Sequence, residues 1–466
     1  MADDAQRYDL IIIGSGPGGY VAGIRAGQLG LKVAVVERDP FLGGACLHRG
    51  CIPTKALLHT ATVLEEIRGA ADLGIGVGAP ELDLAKAHER KQQVVDKNAR
   101  GIQGLFKKNK VDWLHGTGKL AGKGRVEVSG EDGTKTYETA NVLIATGSVP
   151  REIPIAPADG ERILNSDHVL EIGRVPETMA VLGAGAVGTE FASMFTSFGT
   201  KVTVIEMLDR VLPMEDEEVS KEIARAFRKR GIRTMTGTKV SGVETSHEGV
   251  KLSFEGKDDT VEAEVLLVAV GRGPVTDGLG LDTVGLETER GYLATDGFMR
   301  TAAEGVYAIG DVVEATPWLA HKASAEGIVA VEHVAGHPTR PLDYSKVPSV
   351  VFTEPEVGSV GLTEKAAREA GYDVAVGKFP FTALGKAAIE GKTAGFVKIV
   401  RDTKYDEVLG VHIVGIHATD LIAEACAALQ LEATAEELFR TVHAHPTLAE
   451  SMAEAAHASH GAAIHF

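Results

Sequence analysis

Two cysteines near the start of the chain have the type and spacing for thiol chemistry. Cys46 and Cys51 lie in GGACLHRGCIPTK, residues 43–55, and Cys426 is the only other cysteine among 466 residues. A disulfide scaffold of this length would need many more cysteines, and a structural zinc site would need four ligands. The pair therefore predicts a redox-active dithiol, with two unpaired helix cysteines as the alternative. Cys426 lies in an apolar stretch, which predicts a buried small hydrophobic residue.

The surroundings of this pair favour a reactive thiol. Gly43 and Gly44 predict a turn, and residues 54–68 predict an amphipathic helix. A thiol near a helix start meets the positive end of the dipole, and Lys55 adds a positive charge. Both effects lower a thiol pKa, so we expect a pair poised for thiol–disulfide exchange. A spacing of five does not place both cysteines on one face of a regular helix.

The elements that position this pair belong to a unit that occurs twice. Residues 14–37 align without a gap with residues 183–206, and a short apolar run precedes each segment. Each unit predicts a strand, a glycine turn, a helix and a second strand that ends in a carboxylate. The shared residues are Gly14, Gly16, Gly19, Gly30, Lys32, Val33, Val35 and Glu37 in the first unit and Gly183, Gly185, Gly188, Gly199, Lys201, Val202, Val204 and Glu206 in the second.

This glycine spacing is typical of dinucleotide binding. The first glycine permits a tight turn, the second allows a pyrophosphate to approach the backbone, and the third allows close helix–strand packing. The helix N-terminus then binds phosphate, and Glu37 or Glu206 accepts from a ribose hydroxyl. Two such units predict two dinucleotides, with two packing units that bind no ligand as the alternative. Glu206 repels a 2′-phosphate, which favours NAD over NADP.

Other patterns describe the connections and the class of protein. The segments 141–150 and 264–274 each predict a buried strand that enters a glycine turn, and residues 125–137 predict a hairpin. Residues 83–109 predict a long helix. The formal net charge of −17 argues against nucleic-acid or anionic-membrane surfaces. The sequence shows no membrane-spanning run or signal peptide, so we expect a cytoplasmic location.

In these motifs the chain resembles the class I pyridine nucleotide-disulfide oxidoreductases, a family of flavoproteins. The resemblance covers essentially the whole chain and is strongest to members that oxidise dihydrolipoamide. The first glycine unit resembles the FAD site, residues 43–55 the redox-active disulfide motif, and the second glycine unit the NAD site. Further matches are TAAEGVYAIGDV at 301–312, LAHK at 319–322 and HPTLAE at 445–450.

The resemblance implies an α/β fold with two Rossmann-like FAD- and NAD(P)-binding domains and a C-terminal α+β dimerisation domain. The Rossmann-like domains are expected to have three layers and β-meander insertions. The expected domains are 1–149 for FAD and the disulfide, 150–275 for NAD, 276–342 for a central domain that completes the FAD site, and 343–466 for dimerisation.

The resemblance also implies roles for individual residues. Cys46 would meet the substrate, and Cys51 would lie beside the flavin as the charge-transfer thiolate. Lys55 would lie near the flavin's reactive nitrogen and pair with Glu190. His445 would be the acid/base held by Glu450, both from the other subunit of a homodimer. The implied cofactor contacts are Gly14, Gly16, Gly19, Glu37, Lys55, Gly116, Thr146, Gly147, Ser148, Asp311 and Ala320 for FAD and Gly183, Gly185, Gly188, Glu206 and Gly271 for NAD; no metal site is implied.

The implied reaction is oxidation of protein-bound dihydrolipoamide to lipoamide with reduction of NAD⁺ to NADH. The implied partners are lipoyl domains and the acyltransferase core of 2-oxoacid dehydrogenase complexes, or the glycine cleavage system. Another NAD(P)H-dependent disulfide reductase of the family and a non-catalytic scaffold subunit are the alternatives. The chain departs from the commonest family pattern at Ala45, His48, Arg49 and Val442, and we hypothesise that the charges of His48 and Arg49 alter the potential of the disulfide.

Overall fold

The computed structural model describes residues 7–314 and 317–466. The strands are, in chain order, β1 (Arg7–Ile13), β2 (Val33–Glu37), β3 (Asp112–His115), β4 (Thr117–Leu120), β5 (Arg125–Gly130), β6 (Gly133–Ile144), β7 (Ser148–Pro150), β8 (Ile163–Leu164), β9 (Thr178–Leu182), β10 (Lys201–Ile205), β11 (Arg233–Met235), β12 (Val240–Thr245), β13 (Val250–Phe254), β14 (Lys257–Ala263), β15 (Val265–Val268), β16 (Arg272–Pro274), β17 (Val306–Ala308), β18 (Ser349–Val351), β19 (Glu356–Gly361), β20 (Val374–Pro380), β21 (Phe396–Asp402) and β22 (Val408–Gly415). The α-helices are α1 (Pro17–Gln28), α2 (Gly44–Arg49), α3 (Cys51–Gly69), α4 (Leu84–Asn109), α5 (Ser166–Val169), α6 (Ala186–Phe198), α7 (Glu217–Lys229), α8 (Ala320–Val334), α9 (Glu364–Glu369), α10 (Gly385–Ile389), α11 (Ala418–Gln430), α12 (Ala435–Arg440) and α13 (Glu450–Ser459).

The first of two compact units contains the described residues up to 57, together with 85–151 and 272–344. Its main sheet has the strand order β3-β2-β1-β6-β5-β4, and β17 pairs with β6. The strands β3, β2, β1, β6 and β17 are parallel, whereas β4, β5 and β6 form an antiparallel meander. The central strand β1 is apolar and buried over Leu10–Ile13, as expected for a parallel strand covered on both faces.

The second unit contains residues 58–84, 152–271 and 345–466. Its parallel sheet has the order β11-β10-β9-β15-β8, and β12, β13 and β14 form a separate antiparallel meander. A further five-stranded antiparallel sheet has the order β18-β19-β22-β21-β20. The helices α11, α12 and α13 supply buried side chains to the core of this sheet, among them Ile422, Leu438 and Met452.

A buried lysine forms ion pairs with carboxylates from distant parts of the sequence within the second unit. Lys398 on β21 is 2% exposed, and its ammonium group lies 3.0 Å from Asp216 and 2.9 Å from Glu364. Asp216 is the N-cap of α7, where its side chain accepts the N–H of Glu218 at 3.0 Å. Burial alone would raise the pKa of Asp216, but His412 and Lys398 hold it below its usual range.

The predicted fold class is confirmed, including the two parallel α/β sheets with β-meander insertions and the C-terminal α+β region. The hairpin predicted at 125–137 forms from β5 and β6, and the predicted long helix is α4. The helix predicted from residue 54 begins earlier, at Cys51. The four expected domain boundaries stay a prediction. Within the described residues, no helix is long and apolar enough to cross a membrane.

Candidate functional site

The glycine loop between β1 and α1 combines tight packing with one open position. A Cβ at Gly14 would overlap the carbonyl oxygen of Ala145, and a Cβ at Gly19 would overlap that of Gly14. By contrast, a Cβ at Gly16 would meet no atom within 4 Å. Gly16 is the N-cap of α1, so the unsatisfied N–H groups of the first helical turn lie at this open space. The loop therefore fits the pyrophosphate of a dinucleotide.

The carboxylate at the end of β2 holds this loop in place. One oxygen of Glu37 accepts the N–H of Ser15 at 2.9 Å and its hydroxyl at 2.6 Å. The other oxygen accepts the N–H of Asp39 at 3.0 Å. A carboxylate has about four lone-pair directions, so these bonds leave acceptor capacity for a ribose hydroxyl. Glu37 thus fits both a structural and a ligand-binding role.

The second glycine loop, between β9 and α6, reproduces this arrangement. Its first glycine, Gly183, has φ +104°, against +105° for Gly14, and a Cβ at Gly185 would meet no atom within 4 Å. The side chain of Glu206 accepts the N–H of Ala184 at 2.7 Å and of Leu208 at 2.8 Å. The sequence repeat therefore extends to the hydrogen bonds, and the second loop fits a second dinucleotide.

Asp311 lies in a short 3₁₀ turn, Gly310–Val312, that follows β17 in the first unit. The hydroxyl of Ser148 donates to its carboxylate at 2.5 Å, and Arg272 donates to the Ser148 oxygen at 2.8 Å. The structure thus brings together two residues that the resemblance assigns to the FAD site. Arg272, which the sequence reasoning did not single out, orients Ser148.

A buried ion pair supports the same turn and was missed at the level of sequence. Lys322 and Glu326 on α8 are both 0% exposed, and their charged groups are 3.2 Å apart. Glu326 accepts the N–H of Gly310 at 2.7 Å and the hydroxyl of Tyr344 at 2.8 Å. Burial and the Glu326 carboxylate raise the pKa of Tyr344. The spacing of Lys322 and Glu326, four residues apart on a helix, was the available signal.

The two cysteines meet because the helix is interrupted between them. The helix α2 ends at Arg49, α3 begins at Cys51, and Gly50 has φ −146° and ψ −116°. A Cβ on Gly50 would lie 2.9 Å from the carbonyl oxygen of Ala45, so only glycine fits this break without a shift. The interruption lets both sulfurs meet despite a spacing that one regular helix does not allow.

The expectation of a lowered thiol pKa is wrong for Cys46. Its thiol makes a side-chain hydrogen bond with Cys51, and this bond together with burial raises the pKa of Cys46 above its ordinary value. The positive charge of Lys55 lowers this pKa, but by less. Both cysteines are thiols in this structure. The contact between the two sulfur atoms and burial therefore outweigh the positive charge of Lys55. Cys426, expected to be buried, is half-buried, and burial raises its pKa.

The side chains of His48 and Arg49 are tied to the loop after β2. The guanidinium of Arg49 lies 2.8 Å from the carboxylate of Asp39, with both side chains partly exposed. The ring of His48 stacks on Phe41 and contacts the carbonyl oxygen of Leu42 at 2.9 Å. The charge of Arg49 is therefore already compensated by Asp39, which reduces its expected effect on the cysteine pair.

His445 and Glu450 form the pair that their spacing suggests. Nδ1 of His445 lies 2.8 Å from Oε1 of Glu450, while the ring itself is 79% exposed. The other carboxylate oxygen accepts the N–H of Thr447 at 2.8 Å. Burial raises the pKa of Glu450, but the Thr447 N–H and the His445 ring lower it more. With Nδ1 engaged, Nε2 of His445 is the nitrogen presented to solvent and able to exchange a proton.

A second imidazole–carboxylate pair lies next to this one and was not foreseen. Nε2 of His443 lies 2.7 Å from Oε1 of Glu424 on α11, and the His443 side chain is 7% exposed. Its Nδ1 is buried and has no hydrogen-bond partner among the described residues. The two pairs differ sharply in exposure, because only the ring of His445 faces solvent.

The remaining predicted site residues lie at turns or at the starts and middles of helices. The buried side chain of Glu190, on α6, accepts the N–H of Phe352 at 2.9 Å, and its pairing with Lys55 stays a prediction. Gly116 donates its N–H to the carbonyl of Glu37 at 2.9 Å. The others are Thr146, whose hydroxyl donates to the Val275 carbonyl at 2.6 Å, Gly147 and Gly271, both at positive φ, and Ala320, the first residue of α8. Within residues 7–314 and 317–466, no group of three or more metal-ligating side chains converges.

Family models match both parts of the chain. Residues 8–327 match the pyridine nucleotide-disulphide oxidoreductases, and residues 347–456 match the dimerisation domain of the same family. The chain therefore belongs to the pyridine nucleotide-disulphide oxidoreductases and is a flavoprotein disulfide oxidoreductase. The predicted use of FAD and NAD(P) is confirmed at the level of this family, and the dimerisation domain supports a homodimer.

Individual relatives cover nearly the full length. The dihydrolipoyl dehydrogenase of Bacillus subtilis is 45% identical over 99% of this chain and 100% of its own. The mitochondrial enzyme of the same name from Pisum sativum is 42% identical over 100% of this chain and 94% of its own. Among solved structures, LpdA from Mycobacterium tuberculosis has a TM-score of 0.90 at 30% identity, covering 97% of this chain and 99% of its own. The HOCl-induced flavoprotein disulfide reductase RclA from Escherichia coli has a TM-score of 0.86 at 26% identity, over 97% of this chain and 99% of its own. The predicted family membership and enzyme class are confirmed.

Proposed function

We propose that this chain oxidises protein-bound dihydrolipoamide to lipoamide and reduces NAD⁺, through Cys46, Cys51 and FAD. The observation that carries the proposal is the contact between the two sulfur atoms directly after the first glycine unit. Two thiols that are hydrogen-bonded to each other can alternate between a dithiol and a disulfide with little movement of the chain. Relatives named dihydrolipoyl dehydrogenase, at 42% to 46% identity, support the choice of substrate.

The thiol chemistry follows from the oxidised form of the pair. Nε2 of His445 takes the proton from one thiol of the substrate, and the resulting thiolate attacks the sulfur of Cys46. The bond from Cys46 to Cys51 breaks, and Cys51 leaves as a thiolate. The second substrate thiol gives its proton to the Cys46 sulfur as it attacks the mixed disulfide, so that Cys46 is released as a thiol and lipoamide closes. The electron pair of the substrate now resides on the two cysteines, and Glu450 stabilises the imidazolium of His445.

The residues of the first unit fit FAD, and the second glycine loop fits NAD. Gly16 and α1 would bind the FAD pyrophosphate, with Glu37 at a ribose and Asp311 at further hydroxyl groups. A flavin held there would supply the electron transfer between the dithiol and the nicotinamide. Glu206 would accept from the 2′-hydroxyl of NAD and would repel the 2′-phosphate of NADP, which is why we propose NAD as the acceptor.

We further propose that His445 and Glu450 act on the cysteines of the partner subunit, which makes the homodimer the active form. The side chain of His445 is 79% exposed, which supports this arrangement. A base that acts on a substrate bound at the other subunit must lie on the surface of its own chain. Residues 1–149, 150–275, 276–342 and 343–466 are proposed as the FAD, NAD, central and dimerisation domains.

The substrate is proposed to arrive on another protein. The partners would be lipoyl domains and the acyltransferase core of 2-oxoacid dehydrogenase complexes, or the glycine cleavage system. We propose a cytoplasmic location, where a reduced thiol pool suits a chain whose few cysteines include a redox pair. A second candidate is reduction of another disulfide by NAD(P)H, which the similarity to the disulfide reductase RclA favours.

An assay of both reactions separates these two candidates. The flavin-loaded protein is mixed with dihydrolipoamide and NAD⁺, and NADH formation is followed by absorbance; NADPH with glutathione disulfide is the comparison. We expect turnover only in the first mixture, and its loss in Cys46→Ser, which removes the attacked sulfur. The variant Cys426→Ser is the control and should keep turnover. NADPH-dependent reduction that exceeds dihydrolipoamide oxidation contradicts the proposal.

A further inference from the structure

The second imidazole–carboxylate pair has a feature that stability alone does not explain. The ring of His443 is buried to 7% exposure, yet its Nδ1 has no hydrogen-bond partner among the described residues. A buried polar atom without a partner costs free energy, whereas an apolar side chain of the same shape would not. The ring therefore occupies this position at a cost to folding, which calls for another reason for its presence.

The protonation of this ring follows from its contacts. Nε2 of His443 lies 2.7 Å from a carboxylate oxygen of Glu424, which accepts and cannot donate, so Nε2 carries the proton. The carboxylate therefore fixes one tautomer and one orientation of the ring.

The position of the pair connects it to the proposed acid/base. His443 stands two residues before His445 in the chain. The hydroxyl of Thr447 donates to the carbonyl of Ala444 at 2.7 Å, which closes the intervening segment. The backbone that carries the exposed ring of His445 is thus held at His443 on one side and through Thr447 on the other.

Several charged groups of the neighbouring helices have ion-pair partners of their own. On α12 Arg440 pairs with Glu436, on α11 Asp420 faces His417, and on α13 Glu454 pairs with His465. Glu424 is the carboxylate that contacts His443.

We propose that Glu424 and His443 form a positioning pair for His445. Glu424 holds the buried ring, and the ring fixes the segment 443–445 so that the exposed imidazole of His445 stays on Glu450 and its Nε2 keeps one direction. The pair touches neither substrate nor cofactor. The proposal rests on the proposed function of His445, and it predicts that the pair serves thiol deprotonation and not the transfer of electrons from NADH to the flavin.

The test uses two activities of the flavin-loaded homodimer. Oxidation of dihydrolipoamide requires His445, whereas oxidation of NADH by ferricyanide bypasses thiol deprotonation. We expect His443→Ala to lower kcat for dihydrolipoamide about tenfold with KM changed less than about twofold, and to leave ferricyanide reduction within about twofold. Glu424→Gln should act in the same direction. His443→Gln keeps an N–H donor at similar reach and should restore most of the lost kcat.

A matched control is His465→Gln, which removes the imidazole from a pair of the same kind, with Nδ1 2.7 Å from Glu454. It should leave both activities unchanged. Equal losses of both activities in His443→Ala, no loss in either, or no recovery in His443→Gln would overturn the positioning role. If the parent protein does not oxidise dihydrolipoamide at all, the proposed function fails first, and the two failures are thereby distinguished.

Discussion

Replacing Gly185 by alanine separates the folding role of the second glycine loop from its ligand role. Gly185 has φ −73° and ψ −175°, which any residue adopts, and its Cβ would meet no protein atom within 4 Å. Gly185 is the N-cap of α6, and its replacement by alanine should lower the free energy of unfolding of the protein by less than about 1 kcal/mol. The protein should therefore fold normally with the added methyl group, whereas the methyl group should weaken binding of the dinucleotide.

The size of the effect on binding follows from packing. The added methyl group would occupy the space in which a pyrophosphate approaches the backbone of the loop. Overpacking of a close contact costs about 1–3 kcal/mol. This corresponds to an increase of about 5- to 150-fold in the dissociation constant. Because FAD is proposed to bind the other unit, the flavin content should not change.

The assay measures KM for NAD⁺ at saturating dihydrolipoamide, together with flavin content and the midpoint of thermal unfolding. Gly188→Ala is the matched control, since its Cβ would overlap the carbonyl oxygen of Gly183 and should impair folding. Gly16→Ala, the same change in the first loop, should lose flavin instead. The reasoning is refuted if Gly185→Ala leaves KM for NAD⁺ within twofold of the parent, or if it unfolds as readily as Gly188→Ala.

Four other changes test separate parts of the structure. His445→Gln should retain FAD and lower turnover with dihydrolipoamide at least about 100-fold; near-normal turnover in the steady-state assay would exclude it as the base. Glu206→Ser should raise kcat/KM for NADP⁺ relative to NAD⁺ about tenfold or more, because a repulsive carboxylate is removed; an unchanged ratio contradicts the assignment. Arg49→Val removes a positive charge that lies between Cys46 and Cys51 in sequence and leaves the charge of Asp39 uncompensated. This change disfavours thiolates and should lower the potential of the pair by roughly 10–20 mV in a redox titration; no change beyond error would end that hypothesis. Lys398→Met should lower the free energy of unfolding by about 3–5 kcal/mol at pH 7 in urea titrations. The lowered carboxyl pKa of Asp216 stabilises the fold above about pH 5 and loses this effect as pH falls, so the variant should also show a flatter acid dependence; a parent-like midpoint and slope would contradict both expectations.

The glycine units show how far local sequence carries a prediction. Gly14, Gly16 and Gly19 lie within one short loop, so their spacing alone predicts the local structure. It indicates at which positions the backbone packs closely and at which position space remains for a ligand. The structure adds that Glu37 accepts the N–H and the hydroxyl of Ser15 in the same loop. This contact joins residues 22 positions apart and leaves no periodic signal in the chain.

The cysteine pair shows where local reasoning reaches its limit. The spacing of Cys46 and Cys51 indicated a redox pair, but the break at Gly50 and the raised pKa of Cys46 were not foreseen. A helix dipole and one lysine can be inferred from sequence, whereas a hydrogen bond between the two sulfur atoms depends on how α2 and α3 meet at Gly50.

The sequence by itself determined the family, the two dinucleotide units, the redox pair and the carboxylate five residues after His445, because each is encoded within a few turns of chain. Only the tertiary structure decided two buried pairs, Glu424 with His443 and Lys398 with Asp216, and the members of the second pair stand 182 positions apart. Burial removes water from such groups, so each charge must find a partner supplied by packing, and the choice of partner is made by the fold rather than by neighbours in the chain.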